Sequence, residues 1–597
     1  MFYYKNTNWL TTAFSLSIIF TSVFLGTAFL FMSVNHSPYQ RYSVDNSIKT
    51  SQVYIVNTTA DLNALNNIHS FGEQIEIRPT ENIITTLQNF SLAPLKDFYI
   101  FGNGTYTINI NIVDSNFTRG FAIYGNAIVN FTNCRFAKGS GFSIYSGGST
   151  LSIKDSLFLG KFTTDKFDSG SSIDSVNLII DNTFFNQTVQ NYGFIKIRVS
   201  SGANVQIYDT NVTNGIELIG PNQVIINNSR FGSGSISSLI DRQGIYLKNT
   251  NNINIKNSAL FYDTGSIKPQ GLYLDHCNNG IVKNLNISKD LNITSSSNIS
   301  LSNIEITNLF YVNPSTNINV NNIPVTFNQL DIYSSDITIS GISVNNIDIH
   351  GSNQEIDISN SVIIQDIDFN CVSNTGITFK KLNLRDLNAN GISTNVVLNL
   401  TDSTLTNLTL LGIVETNLHN ITVSNTIEVY STSTTLIENT TYAKLIDHVN
   451  PKVQVSKNAI HRNYDIVMDT SLQVTFSWNG SDNVIDPNFN VLYKILIYKD
   501  NILILNKTIS KTSYTLIAST KSNYLVKIIC LDVSGNTSNT ASISITFTPT
   551  LGTFFLILTI VIVSVAGAAA VIVFYLYHRA KNRWKKTPIL TVSPEKK

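Results

Sequence analysis

A short unit recurs along most of this chain: a strand of alternating apolar and polar residues, a turn that contains Asn or Asp, and a second short strand. INIKNSAL (253–260) and ISLSNIEI (299–306) are examples, and about twelve such units follow one another. Successive turn residues such as Asn257, Asn284 and Asn303 are separated by roughly 18–29 residues, the length of one solenoid coil. One unit cannot bury its own apolar residues, so the repeat predicts that the units stack.

The turn residues suit a stack of coils. Asn and Asp hydrogen-bond nearby backbone groups and tolerate the left-handed backbone region. In stacked coils, each turn Asn can also bond to the equivalent residue about 4.8 Å away. Later coils continue the spacing with Gly341, Asn360, Lys381 and Asp402. The pattern predicts an all-β parallel solenoid.

Residues 50–445 resemble the right-handed parallel β-helix of the pectate-lyase-like superfamily, which includes periplasmic copper-maturation and carbohydrate-active proteins. The segment VYIVNTTADLNALNNI (53–68) is similar to the strand and short helix that cap the first coil in that family. The resemblance implies a right-handed β-helix over 50–445. It specifies a fold rather than an activity.

Residues 452–548 lose the coil repeat and contain strands of a different spacing. Segments such as VTFSWNGSD (474–482) and NYLVKIICLDVSGNTS (523–538) resemble a fibronectin type III-like β-sandwich, with Trp478 as its buried tryptophan. The resemblance implies a spacer or adhesive module without catalytic chemistry.

Both ends of the chain predict membrane helices. Residues 553–577 carry no charge and are long enough to cross a bilayer, and residues 578–597 form a basic tail. The positive-inside rule makes this tail cytoplasmic. Residues 1–34 are predicted to be a signal peptide or an uncleaved signal anchor, and both alternatives place residues 35–550 outside the cell.

The exported segment carries about nineteen N-x-S/T sequons. The candidate glycosylation sites include Asn57, Asn130, Asn211, Asn292, Asn407, Asn439 and Asn506. An Asn-rich and Thr-rich chain also makes such sequons by chance. The body of the chain has no dense basic run, so nucleic acid is not a predicted partner.

The four cysteines, Cys134, Cys277, Cys371 and Cys530, show neither metal-ligand spacing nor a disulfide pattern. We expect buried free thiols, because Cys is among the most buried residue types.

Catalytic motifs of related β-helix enzymes are missing. The polygalacturonase pattern of paired Asp residues, NTD, GHG and RIK does not occur in the sequence. Lyases of the superfamily use acidic residues, calcium and a basic residue, and the nearest imitation is Asp241 and Arg242 with Asp275 and His276, about one coil later. The alternative is that these are ordinary loop residues, and no catalytic residue is assigned.

Acidic residues recur at coil spacing inside the similar phrases LDIY, IDIH, IDFN and RDLN. If the coils are in register, the residues form one stripe on an outward face, with a second stripe beside it. The first stripe is Asp331, Asp348, Asp368 and Asp386, and the second is Tyr333, His350, Asn370 and Asn388.

Like charges about 4.8 Å apart repel, so a cation is an expected companion of the acidic stripe. Calcium, which takes several oxygen ligands, is the cofactor predicted at Asp348 and Asp368. Two alternatives stay open: the stripe binds sugar hydroxyl groups, or it is a solvated polar face without a ligand.

Three functions fit these observations. The first is a glycosylated surface protein that binds an extracellular glycan or surface protein through the solenoid face, as in adhesion. The second is a membrane-tethered polysaccharide lyase, hydrolase or epimerase. The third is a structural component of a surface coat. In each case the membrane is a partner of the chain.

Overall fold

The stack of coils is present in the computed structural model. It describes residues 52–137, 141–145, 148–159, 161–163, 176–186, 195–198, 202–213, 215–232, 243–260, 270–392, 395–412, 414–465, 472–487, 489–518, 522–550 and 552–584. The predicted signal segment, residues 1–34, lies outside these residues. The described chain from Tyr54 onward belongs to one structural unit.

Forty strands precede residue 450 in the described part of the chain. Strands β1 to β20 are Val53–Val56, Gln74–Ile77, Ile83–Gln88, Phe98–Phe101, Ile108–Val113, Asn116–Phe117, Gly120–Tyr124, Ile128–Thr132, Arg135–Phe136, Gly141–Ile144, Thr150–Lys154, Leu157–Phe158, Lys161–Thr163, Asn177–Asp181, Phe184–Phe185, Ile195–Arg198, Asn204–Tyr208, Asn211–Val212, Ile216–Ile219 and Gln223–Asn227. Strands β21 to β40 are Arg230–Phe231, Gln243–Lys248, Asn251–Leu260, Gln270–Asp275, Asn278–Ile287, Asp290–Thr294, Ser297–Ile306, Leu309–Asn313, Thr316–Asn321, Thr326–Tyr333, Ile337–Ser340, Ser343–Gly351, Gln354–Cys371, Thr375–Gly391, Val396–Thr401, Thr404–Gly412, Glu415–His419, Thr422–Val429, Thr435–Glu438 and Thr441–Asp447.

These strands form a parallel β-solenoid of about 16 turns, as the repeat predicts. Most strands pair in parallel with their counterparts one coil before and one coil after. Leu151, for example, lies between Val129 of the preceding coil and Leu178 of the next. All three side chains are buried, because alternate residues of each strand face the interior.

The predicted turn positions adopt the left-handed backbone conformation. Asn257, Asn284 and Asn303 have φ values of 48°, 51° and 52°. Each side-chain amide donates to the carboxamide oxygen one coil earlier, over 2.9 Å from Asn284 to Asn257 and 2.9 Å from Asn303 to Asn284. Gly341 and Lys381 continue this conformation at 70° and 55°.

Aliphatic residues and stacked phenylalanines fill the interior. Phe98, Phe121 and Phe142 stack in consecutive coils, with ring centroids 5.0 and 5.2 Å apart. The expectation of buried free thiols is confirmed for all four cysteines.

A short helix caps the first coils. Helix α1, Thr59–Asn63, follows β1, and Thr58 and Asp61 form a capping box at its start. Leu62 joins the solenoid core. The sequence predicts both the strand and the helix in this segment.

The strands that follow the solenoid form a second hydrophobic core around Trp478, which is 1% exposed. Strands β41 to β49 are Lys452–Val455, Ala459–Asp465, Leu472–Ser481, Val484–Ile485, Leu492–Lys499, Ile502–Ile509, Ser513–Ala518, Tyr524–Leu531 and Ala541–Thr550. One sheet has the order β41-β43-β47 and the other has the order β42-β49-β48-β45-β46. Strand β44 instead pairs in parallel with β39 of the solenoid.

Helix α2, Gly552–Trp584, is the single candidate membrane span among the described residues. Its apolar side chains are exposed, including Val563 and Phe574. His578 and Arg579 lie in its last turns, whereas Lys585 and the rest of the basic tail lie outside the described residues.

Candidate functional site

Three of the four predicted acidic residues form a column on one face of the solenoid. Asp331 lies beside Asp348 in the next coil, and Asp348 lies beside Asp368 in the coil after that. The flanking residues Ile332 and Ile349 point inward and are buried, so the carboxylates point outward and are half-buried. We call Asp331, Asp348 and Asp368 the acid column.

The prediction that Asp386 continues this column is wrong. Asp386 pairs with Asp366, and Asn388 is the residue that follows Asp368. Ile367 pairs with Leu387 here, after an irregularity between Ile363 and Asp366. The strand therefore aligns its apolar residues, and this displaces Asp386 by two positions along the strand.

The second predicted stripe needs the same correction at its end. Tyr333, His350 and Asn370 lie side by side in consecutive coils, and Asn390 follows them instead of Asn388. Asn390 donates a 3.0 Å hydrogen bond from Nδ2 to Oδ1 of Asn370.

Amide groups hold the acid column in place. Nε2 of Gln329 donates to Oδ1 of Asp331 over 2.9 Å and to Oδ2 of Asp348 over 2.7 Å. Nδ2 of Asn388 donates to Oδ1 of Asp368 over 2.7 Å. These neutral donors orient the carboxylates and leave other lone pairs of the same oxygens available to a ligand.

The middle carboxylate has a perturbed pKa. Burial raises the pKa of Asp348, and the charges of Asp331 and Asp368 raise it further. His350 and the hydrogen bond from Gln329 act in the opposite direction. A ligand that brings positive charge or hydrogen-bond donors would relieve this repulsion.

Aromatic rings lie beside the acid column. Tyr333 stacks on His350 with ring centroids 4.9 Å apart, and Tyr311 lies 5.5 Å from Tyr333. Burial raises the pKa of Tyr333, and the charge of Asp331 adds to the effect. The hydroxyl group of Tyr333 therefore remains a hydrogen-bond donor near neutral pH.

A groove of about 300 Å³ lies on the same face, next to the acid column. It is lined by Asp366, Asp386, Asn388, Asn407, Thr409, Asn425, Thr426 and Glu428. We call it the polar groove. Asp386 thus belongs to this groove rather than to the acid column, and five of the lining residues were not named from the sequence: Asp366, Thr409, Asn425, Thr426 and Glu428.

An exposed guanidinium accompanies the carboxylates of the polar groove. Arg385 donates from Nε to Asp386 and from an Nη atom to Asp366, each over 2.9 Å. Nδ2 of Asn407 donates to Oδ1 of Asp386 over 2.7 Å. Because both carboxylates are paired with arginine, the groove presents a mixed set of hydrogen-bonding groups rather than bare negative charge.

Asp275 and His276, two of the four residues that resemble a lyase site, are held by hydrogen bonds within the coils. Asp275 accepts hydrogen bonds from Lys248, Tyr246 and His276 over 2.9, 3.0 and 2.6 Å. Burial opposes ionisation of Asp275, but these donors prevail and lower its pKa. Residues 241 and 242, the other two residues of this lyase-like set, lie outside the described residues.

The candidate glycosylation sites differ in exposure. Asn211, Asn439 and Asn506 are exposed, whereas Asn57, Asn130, Asn292 and Asn407 are half-buried. The amide of Asn407 is engaged with Asp386 in the polar groove. Glycosylation at these positions remains a prediction.

No family model and no curated protein matches the chain. Among solved structures, part of the chain is similar to the fibronectin(III)-like modules of Clostridium thermocellum CbhA, with 14% identity and a TM-score of 0.13. The match covers 18% of this chain and 50% of that chain, so it spans half the length of the neighbour. This is a weak structural neighbour and carries no argument about function.

Proposed function

We propose that this chain is a membrane-anchored surface protein that binds an extracellular glycan or glycan-bearing surface through the acid column and the polar groove. One observation carries the proposal: carboxylates, carboxamides and aromatic rings lie side by side over consecutive coils of a single face. Parallel stacking gives this face its length, because each coil adds one residue to each column.

The chemistry of the face suits polyhydroxylated ligands. Sugar hydroxyl groups donate to carboxylate oxygens, and such charge-assisted hydrogen bonds are stronger than neutral ones. Carboxamides such as that of Asn388 both donate and accept. Tyr311 and Tyr333 offer flat apolar surfaces with polar tips. Calcium at Asp348 and Asp368 remains a proposed cofactor of this face.

The proposed topology places the solenoid outside the cell. Helix α2 is long and apolar enough to anchor the chain, and the basic residues at its end favour the cytoplasmic side. We assign residues 50–445 to a right-handed β-helix of the pectate-lyase-like type and residues 452–548 to a fibronectin type III-like spacer. The arrangement of Trp478 and the two sheets supports the second assignment.

A glycan array tests the proposal. We expect the full-length protein in detergent to be retained on a subset of glycans, and Asp348→Asn with Asp368→Asn to weaken retention at least tenfold. Asp357→Asn is the matched control, because Asp357 lies in the same strand as Asp368 and is also half-buried. Equal retention of all variants would contradict the proposal. If a chelator abolishes retention, calcium is a cofactor of this glycan-binding face.

An enzymatic function is the second candidate, and the polar groove is the observation that favours it. Asp366 and Asp386 flank Arg385, a combination of acidic and basic groups that polysaccharide lyases use. The same array wells distinguish the two functions. If the wild type releases unsaturated or reducing sugar ends and Arg385→Gln does not, the protein is an enzyme. If the protein neither retains nor cleaves any glycan but self-associates, the structural coat component is favoured.

A further inference from the structure

Three carboxylates meet where the last coil contacts the following sheets. Asp447 ends strand β40, Asp482 lies in the turn between β43 and β44, and Asp532 follows β48. Their nearest carboxylate oxygens all lie within 4.8 Å of one another. We call these residues the junction cluster. The cluster is distant in sequence and in strand position from the acid column, so a ligand bound here is independent of the proposed function.

One oxygen of the junction cluster is buried without any partner. Asp447 is 1% exposed, and its Oδ1 accepts a 2.9 Å hydrogen bond from the backbone N–H of Val449. Its Oδ2 is buried and has no hydrogen-bond partner in the described part of the chain. A buried anionic oxygen without a donor is costly, so this atom points to a missing positive group.

A carboxamide adds a second oxygen of the same kind. Nδ2 of Asn483 lies 3.4 Å from Oδ1 of Asp447, which places its carboxamide against the junction cluster. Oδ1 of Asn483 is buried and also has no hydrogen-bond partner among the described residues. The carboxamide thus turns its donor toward Oδ1 of Asp447, and Oδ2 of Asp447 stays without a donor beside the other two carboxylates.

Cationic side chains do not neutralise this charge. Within the described residues, no Lys, Arg or His forms an ion pair with Asp447, Asp482 or Asp532. The negative charge of the three carboxylates is therefore not balanced by a cationic side chain in the described part of the chain.

The remaining neighbours define the kind of cation. Amide groups of Asn536 donate to both oxygens of Asp532 over 2.8 Å, which fixes that carboxylate in place. The three residues of the junction cluster offer only carboxylate oxygen atoms, the ligands that hard cations such as calcium prefer.

We propose that Asp447, Asp482 and Asp532 together bind one calcium ion. Such an ion would bridge the last solenoid coil to two loops of the neighbouring sheets. The same contact is already supported by two hydrogen bonds: the backbone N–H of Asp447 donates to Oγ of Ser534, and Nδ2 of Asn536 donates to the backbone carbonyl of Asp447. Calcium would then fix the position of the sheets on the end of the solenoid.

Calcium titration of the chelator-treated, full-length protein in detergent tests this proposal. We expect calorimetry to show one calcium site whose affinity is at least tenfold lower in Asp482→Asn. We also expect calcium to raise the melting temperature of the wild type by a few degrees and to leave that of the variant unchanged. Asp482 is only half-buried, so the variant should fold; Asp532→Asn, checked by circular dichroism, is the second variant.

Matched variants separate this site from the acid column. Asp357→Asn should leave both the bound calcium and the shift in melting temperature unchanged. The proposal is overturned if the wild type binds no calcium at millimolar concentration. It is also overturned if the calcium signal survives in Asp482→Asn and disappears in Asp368→Asn, because the ion would then lie on the acid column.

Discussion

At the residue scale, a single backbone conformation defines each coil. Asn or Asp occupies most left-handed turn positions, and their identity alone predicts the conformation found at Asn257, Asn284 and Asn303. Two later coils lack this residue type. Gly341 satisfies the conformation because it has no side chain, whereas Lys381 adopts a φ of 55° without that advantage.

Lys381→Asn should stabilise the protein. Asn tolerates the left-handed conformation better than Lys, so we expect the free energy of unfolding to rise by about 1 kcal/mol. Lys380→Asn is the matched control, since Lys380 is exposed, adjacent and not left-handed. Thermal melting of both variants checks the prediction, and a larger gain for the control would contradict it.

Asp348→Asn should stabilise the protein at neutral pH, by about 0.5 kcal/mol. The pKa of Asp348 is higher in the folded chain than in the unfolded chain, so the folded state loses stability when the carboxyl group ionises. The gain should fade as the pH falls below the ordinary value of 3.8, where the carboxyl group is protonated in both states. Melting curves across this range measure it, and a constant difference would refute it.

The sequence predicts the register correctly for three of the four acidic residues. Three of them fall in register because their strands repeat the same alternation. The phrase RDLN suggests the same alignment for Asp386, but that alignment would place the charged Arg385 beside the buried Ile367. The buried partners Phe369 and Ala389 reveal the true register, and the irregularity before Asp366 leaves no signature in the sequence.

At the element scale, register within a strand decides which side chains support the core. Strand β15 consists of Phe184 and Phe185, two identical side chains on opposite faces. Phe185 is fully buried and stacks 4.7 Å from Phe158, whereas Phe184 is 36% exposed. This pair makes a controlled test of the solenoid interior.

Phe185→Ala should lower the free energy of unfolding by about 3–5 kcal/mol, because it removes a buried ring and leaves a cavity. Phe184→Ala should change it by less than about 1 kcal/mol. Denaturant unfolding monitored by circular dichroism gives both values. Similar losses for the two variants would mean that the strand is not oriented as described.

The candidate membrane span, helix α2, allows a further test at the element scale. Val563 lies near the middle of the uncharged segment 553–577 and is exposed, so it should contact lipid if α2 spans the membrane. Val563→Arg should cost about 2.5–3.5 kcal/mol of insertion free energy, whereas Val563→Leu should cost nothing. Extraction of membranes with alkaline carbonate measures the released fraction, and equal retention of both variants would oppose a spanning role.

At the scale of the whole molecule, the solenoid and the following sheets are joined by contacts between distant residues. Strand β44 extends the solenoid sheet by pairing Val484 with Thr435. Tyr442 donates a 2.6 Å hydrogen bond to Oδ2 of Asp486. Local patterns cannot predict such contacts, and the sequence gives no sign of β44, which is only two residues long.

Tyr442→Phe should weaken this junction. The ring stays packed on the solenoid core, but Asp486, which is 6% exposed, loses a hydroxyl donor. A hydrogen bond to a buried charged group contributes about 1.5–3 kcal/mol, so the melting temperature should fall. Burial and the neighbouring carboxylate raise the pKa of Tyr442, so the hydroxyl remains a donor at neutral pH.

Tyr430→Phe is the control for this change, since Tyr430 donates to Glu428 over 3.2 Å on the exposed surface. We expect it to alter stability by less than about 0.5 kcal/mol. If both variants melt at the same temperature, the hydrogen bond of Tyr442 does not hold the two parts together. If only Tyr442→Phe separates one melting transition into two, the junction is what makes the solenoid and the sheets unfold as one unit.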